Sequence, residues 1–353
     1  MPDTSLPDPS LLATRPPGTW VPDVLGDGWE ARTLTLRPDE QGEAVATLVR
    51  RAATGPGGGF EVAPDEADEP RHPRSRRAVL YVHGYVDYFF QRHLGDAWAA
   101  MGYDFYAIDL RGHGRSLLPH QLQNYSTDLA VHAEELDLAA RIIRTEEDHD
   151  VLVVNGHSTG GLVVSLWAHA RRDRPAGPVA DALVLNSPWL ELNRGWWDRV
   201  VTTGAVDVIG RVAPRLVVGQ TGYHYGEWLH TGTGGAWDYD LTWKPHRGWG
   251  VRAGWLRTVR RGHRAVARGL DIDVPVLVCA AAESGPADRW HEALDRTDSV
   301  LSVEHIVERA PFLAADVTVV QIPGGVHDLA LSPEPARTAY LDAVRAWVAS
   351  HVP

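Results

Sequence analysis

Hydrophobic positions along the chain follow two rhythms. Near the start, residues 31–37 (ARTLTLR) and 43–50 (EAVATLVR) alternate apolar with polar side chains on either side of PDEQG, which predicts a β-hairpin with one buried face. From residue 77 the alternation stops. Short unbroken apolar runs replace it at 78–83 (AVLYVH), 104–110 (DFYAIDL), 150–155 (DVLVVN), 182–186 (ALVLN), 274–280 (VPVLVCA) and 317–322 (VTVVQI). Between them lie stretches of helical spacing, one reaching to about residue 101, one over 126–145, one from residue 159, and one over about 335–350. Strands that are apolar on both faces and alternate with helices predict an α/β fold, with a mostly parallel sheet covered by helices on both sides.

One long stretch breaks this rhythm. Residues 188–269 hold Trp189, Trp196, Trp197, Trp228, Trp237, Trp243, Trp249 and Trp255, eight of the fourteen tryptophans, divided by glycine-rich turns. No fixed repeat runs through them, so they read as a cap inserted between two strands of the sheet. The expected division is an N-terminal arm at 1–30, the first part of the core at 31–187, the Trp-rich cap at 188–269 and the second part of the core at 270–353. Residues 54–77, rich in Gly, Pro and charge, read as a loop. Their GPGGG is not a phosphate loop, because no GK[ST] follows.

Composition narrows the function by exclusion. A net charge of −12 argues against nucleic acid as a partner and would weakly repel an anionic membrane. Cys279 is the only cysteine, so no internal disulfide forms. Neither a signal peptide nor an apolar run of membrane-spanning length is visible, so a cytoplasmic protein with no integral membrane association is expected. His224, His230 and His246 lack HExxH spacing and a paired carboxylate, so neither metal nor cofactor is expected. The Asn124–Ser126 sequon has no consequence without secretion. Lys244 is the only lysine.

The chemistry starts at residues 151–167, VLVVNGHSTGGLVVSLW, where a strand runs into G-x-S-x-G and then into helical spacing. Gly156 and Gly160 flank Ser158 as they must if a sharp turn lifts its hydroxyl above the strand ends. A helix beginning there directs its N–H groups toward developing negative charge. A serine hydroxyl needs a base, and the base needs a carboxylate to orient it. In α/β-hydrolases these follow in the order Ser, acid, His. His327, in the loop after 317–322, is the expected base. The loop after 274–280 offers Glu283, Asp288, Asp295 and Asp298 as the acid; Asp298 is preferred, with Glu283 the alternative. The oxyanion would be met by the N–H groups of Thr159, directly after the serine, and of Tyr85, after His83-Gly84. His157 is expected to pack or bond locally.

Residues 83–116, HGYVDYFFQRHLGDAWAAMGYDFYAIDLRGHGRS, together with NGHSTGG and the GGVHD before the last helix, resemble the monoacylglycerol lipase and lysophospholipase-like α/β-hydrolases of the serine aminopeptidase S33 type. The likeness spans about 77–190 and 270–350. It implies the α/β-hydrolase fold and cofactor-free serine chemistry, and alignment of DSVLSVE with the family's acid segment selects Asp298. Three departures stand out: Tyr85-Val86-Asp87 replaces a small residue and glycine after HG, the acid loop is enlarged, and the cap is long and rich in tryptophan.

The leading expectation is a serine ester hydrolase acting on a small-molecule ester with an apolar acyl or alcohol part. A peptidase or amidase on the same residues is the second, with Glu191 or Glu227 available to bind a free N-terminus. A third is a ligand-binding protein of the same fold without turnover. Dehalogenase chemistry is disfavoured, because it needs a carboxylate where Ser158 stands.

Overall fold

The computed structural model describes residues 18–51, 75–175, 177–192 and 203–352. The first seventeen residues of the expected arm, most of the 54–77 loop, and Trp196 and Trp197 lie outside the described residues.

The hairpin is formed by β2 (Trp29–Asp39) and β3 (Gly42–Arg51), with the short β1 (Val21–Pro22) added to its outer edge. Then come β4 (Arg77–Val82), α1 (Arg92–Ala100), β5 (Asp104–Asp109), α2 (His132–Arg141), β6 (Val151–His157), α3 (Thr159–Arg171) and β7 (Ala182–Asn186). The last core elements are β10 (Val276–Ala281), α7 (Val303–Arg309), β11 (Val317–Ile322) and α8 (Ala336–His351), after an insertion described below. Among the described residues one sheet runs in the order β1-β2-β3-β5-β4-β6-β7-β10-β11. Its first four strands pair antiparallel and the rest pair parallel. The unbroken apolar runs are the parallel strands. Every residue of β7 and β10 is buried, since helices cover both faces.

Two expectations shift. Residues 21–30 belong to the body and not to a free arm: Trp29 is buried at the start of β2, and Asp23 is buried against Arg115. The helical stretch predicted from 126 starts only at His132, because the Asp128 carboxylate accepts the Ala130 N–H at 3.0 Å and holds a tight turn ahead of it.

The chain between β7 and β10 forms α4 (Thr203–Val212), β8 (Val217–Gly219), α5 (His224–Leu229), β9 (Val251–Arg252) and α6 (Ala253–Arg268). Its residues Tyr225, Lys244 and Trp255 line one cavity with Ser158 and His327, which follow the C-terminal ends of β6 and β11. The small antiparallel pair β8–β9 was not legible in the sequence. Helix α6 returns along the body against α3, where Gly262 leaves room for Leu162 and Leu166.

Candidate active site

The serine turn is built by steric necessity. Ser158 has φ 51° and ψ −118°, a conformation that non-glycine residues rarely adopt and that costs on the order of 1–3 kcal/mol. The turn closes only because its neighbours have no side chains. A Cβ on Gly160 would collide with the carbonyls of Val82 and His83, and one on Gly156 would come within 2.6 Å of Val164. Gly84 lies on the other side with slightly more room, where a Cβ would sit 3.1 Å from that of Ser158. The Ser158 N–H donates to Asn186 O at 3.0 Å, and its C=O accepts the Trp189 N–H at 3.0 Å, so β7 and the chain just beyond it hold the strained residue in place.

Three side chains from three loops then meet. Ser158 Oγ lies 3.0 Å from His327 Nε2, and His327 Nδ1 lies 3.0 Å from Asp298 Oδ2. All three are buried. The other Asp298 oxygen accepts the N–H groups of Val300 and Leu301 at 2.9 and 2.8 Å, which fixes the orientation of the carboxylate. Glu283 is exposed, and it joins only through its main chain, whose C=O accepts the Asp298 N–H at 2.9 Å. Asp295 pairs with Arg296 at 2.8 Å on the surface, and Asp288 lies at the cavity wall. Tyr85 and Thr159 flank Ser158 and line the same cavity.

The loop carrying Tyr85 is held from behind. His83 Nδ1–H donates to Gly84 O at 2.8 Å while its Nε2 accepts the Leu110 N–H at 3.0 Å; burial lowers its pKa, so it stays neutral in this tautomer. Downstream, Arg115 lies between Asp109 and Asp23, 2.8 Å from each, and donates to Phe89 O at 2.9 Å. The RGHGRS segment thus ties β5, the Tyr85 loop and the N-terminal region together.

The family model described as "Serine aminopeptidase, S33" matches residues 73–334. The chain belongs to this family. A monoacylglycerol lipase of Mycolicibacterium smegmatis is 26% identical over 299 residues, 84% of this chain and 95% of that protein. Among solved structures, a soluble variant of the monoglyceride lipase of Saccharomyces cerevisiae aligns with a TM-score of 0.62 at 15% identity, covering 91% of this chain and 97% of that one. The monoacylglycerol lipase of Paleococcus ferrophilus aligns at 0.56 and 20% identity, covering 78% and 95%. These structures share the α/β-hydrolase fold with this chain.

Above the serine of this S33-family chain lies a cavity of about 600 Å³. One wall is aromatic: Tyr85 stacks on Trp255 at 3.9 Å, and Trp189 lies 5.7 Å from Trp255. A polar part of the lining escaped the sequence reading. Lys244 Nζ donates to the buried Asp87 at 2.6 Å, and Asp87 also faces His157 Nδ1 at 3.4 Å. Burial opposes the charge on Asp87, but Lys244 and His157 outweigh it and hold the carboxyl far below its usual range. Burial likewise opposes a charge on His157, and Asp328 and Asp87 overcome it and raise its pKa. The signals available beforehand were that Lys244 is the sole lysine and that Tyr85-Val86-Asp87 departs from the family pattern.

A second connection runs from α5. Tyr225 OH accepts the Asp328 N–H at 3.0 Å, and its ring lies edge-on to His327 at 6.0 Å. Asp328 is itself buried among Asn186, Gln91 and the Ala330 N–H. The remaining expected residues have structural partners. Glu191 pairs with Arg309 and Arg260 at 3.0 and 3.4 Å, and neither it nor Glu227 lines the cavity. His230 uses both ring nitrogens, one toward Tyr239 O and one on the Gly232 N–H. Among the described residues no group of three or more His, Cys, Asp or Glu is placed to hold a metal ion, and no helix is long and apolar enough to cross a membrane.

Proposed function

We propose that the protein is a serine hydrolase of carboxylic esters with an apolar acyl or alcohol part. Ser158 Oγ attacks the ester carbonyl as His327 Nε2 takes its proton, and Asp298 holds the imidazole and stabilises its charged form. The N–H groups of Tyr85 and Thr159 receive the oxyanion. His327 returns the proton to the leaving alcohol. Water then enters, loses a proton to His327 as its oxygen bonds to the acyl carbon, and the acid departs as His327 returns that proton to Ser158 Oγ. The insertion at 188–269 acts as the cap over this site, with the Tyr85–Trp255–Trp189 wall bounding the apolar part of the substrate.

One observation carries this reading: Ser158 Oγ, His327 and Asp298 are joined by two 3.0 Å contacts, with the serine opening into an aromatic-walled cavity. The likeness to the Mycolicibacterium smegmatis protein described as a monoacylglycerol lipase favours acyl esters. Of the carboxylates at the cavity, Asp87 is held by Lys244 and Asp328 by three donors, which leaves Asp288 as the acid an amidase reading would use for a free N-terminus.

The test is hydrolysis of nitrophenyl esters from acetate to long acyl chains, beside aminoacyl-nitroanilides, with Ser158→Ala as control. Turnover of medium or long esters that disappears in Ser158→Ala is the expected result. Turnover of the anilides alone would replace the ester reading with the amidase one. No turnover, together with no labelling of Ser158 by a fluorophosphonate in folded protein, would leave a ligand-binding protein.

A further inference from the structure

A second cavity, of about 570 Å³, opens between α2, α3 and α6, and no residue lines both it and the cavity above Ser158. Its floor is apolar. Leu129, Val163 and Trp167 are buried there, and Leu166 and Ala265 are half-buried. The space exists because the helices turn small residues toward it: Ala133 of α2, Ala170 of α3 and Ala265 of α6 line it, where longer side chains would take up the room.

The rim carries charge of one sign. Arg171, Arg261, Arg264 and Arg268 line the cavity with a single acid, Asp128. On α6 the positions 261, 264, 265 and 268 form one stripe, since steps of three and four residues share a helix face. Two of the four arginines have acids of their own: Arg171 meets Asp137 at 2.7 Å, and Arg264 reaches Asp207 at 3.8 Å. Arg261 and Arg268 are exposed and have no carboxylate partner among the described residues, in a chain where acidic residues outnumber arginine and lysine 46 to 34.

Rim and floor together select the occupant. An uncharged apolar molecule would leave the guanidiniums nothing to bind, and a small anion would leave the floor wet. An aliphatic chain ending in a carboxylate satisfies both, the chain covering Val163, Leu166 and Ala265 while the head accepts from a guanidinium fork. Two unpaired arginines against Asp128 leave one positive charge in excess, which matches a carboxylate better than a doubly charged phosphate. The volume is that of a small-molecule site and not of a protein interface.

We propose that the cavity between α2, α3 and α6 is a second binding site, separate from the catalytic one, for a medium- or long-chain aliphatic carboxylate. Helix α3 begins beside the nucleophile and α6 carries Trp255 of the aromatic wall, so the same two helices border both sites. The site stands whatever bond Ser158 cleaves.

Isothermal titration of the full-length chain with decanoate, decyltrimethylammonium and acetate tests this. The proteins are the wild type, Arg261→Gln with Arg268→Gln, and Ala265→Trp. Decanoate that enters the catalytic cavity gives a component these substitutions leave in place, so the component they weaken belongs to the second site. Wild type is expected to bind decanoate there, and neither acetate nor the cation. The glutamine pair weakens that component about tenfold, because exposed guanidiniums contribute less than buried ones. Ala265→Trp fills the space and abolishes the component while the thermal unfolding midpoint stays in place. If the tryptophan variant fails to fold, the glutamine pair still decides. Wild type that binds no decanoate overturns the proposal, as does a glutamine pair that binds it like the wild type. So does decyltrimethylammonium bound as tightly as decanoate, which would give the arginines no part in recognition.

Discussion

The floor of the cavity and its roof are built by different means. Below, the main chain does the positioning: Ser158 is strained between glycines, Asp298 accepts two backbone N–H groups, and strands β6, β7 and β10 are buried on both faces. Above, side chains do it: Lys244 grips Asp87, Tyr225 reaches the Asp328 N–H, and Trp255 stacks on Tyr85. A floor fixed by backbone geometry tolerates almost no substitution at its glycines. A roof fixed by side chains can be rebuilt residue by residue. One chain can thus keep its chemistry while the walls around the substrate vary.

The largest expected effect falls on the floor and separates the two candidate acids. Asp298→Asn lowers kcat/KM for a soluble ester by about 10⁴-fold, because the amide can hold His327 in the wrong tautomer. Glu283→Gln leaves it unchanged. Equal losses in both would remove Asp298 from its role. Next, Gly160→Ala, which drives a Cβ into the carbonyls of Val82 and His83, costs about 3 kcal/mol in urea unfolding. Wild-type stability in that variant would mean the serine turn has room to relax.

The roof should respond less and with a pH signature. Lys244→Met leaves Asp87 buried without its cation and costs about 2 kcal/mol at neutral pH, less than for a fully buried pair because part of Lys244 meets solvent. Asp87 has a depressed pKa in the folded state, so the stability it contributes is present above its ordinary value of 3.8 and is lost as pH falls from there toward the folded value. The gap between variant and wild type therefore narrows on acidification; a gap constant from neutral pH to pH 3 would contradict the pairing. Smallest of all, Tyr225→Phe removes one hydrogen bond and costs about 1 kcal/mol by thermal unfolding. A loss no greater than that of Tyr223→Phe, whose hydroxyl makes no such contact to the His327 loop, would show that the bond does not anchor the loop.

How far each region could be read beforehand follows the same division. The parallel strands announced themselves as short apolar runs, because burial on both faces leaves no polar alternation to blur them. Ser158 and His327 were legible because a strand–turn–helix and a loop after the last strand are local patterns. The acid was harder: five carboxylates share one long loop, and what singles out Asp298 is that its own loop folds back to offer the Val300 and Leu301 N–H groups. Asp23 and Arg115, 92 positions apart, gave no sign of pairing, and residues 21–30 passed for an arm because two-residue strands carry no period.

The sequence by itself determined the α/β layering and the serine turn, and marked Ser158 and His327 as candidates, since each depends on patterns acting over a few neighbouring positions. Only the tertiary structure decided which carboxylate reaches His327 and that Lys244 faces Asp87. Those outcomes depend on how loops from 29 to 157 positions apart come to lie against one another. Hydrophobic spacing along a chain carries no record of that.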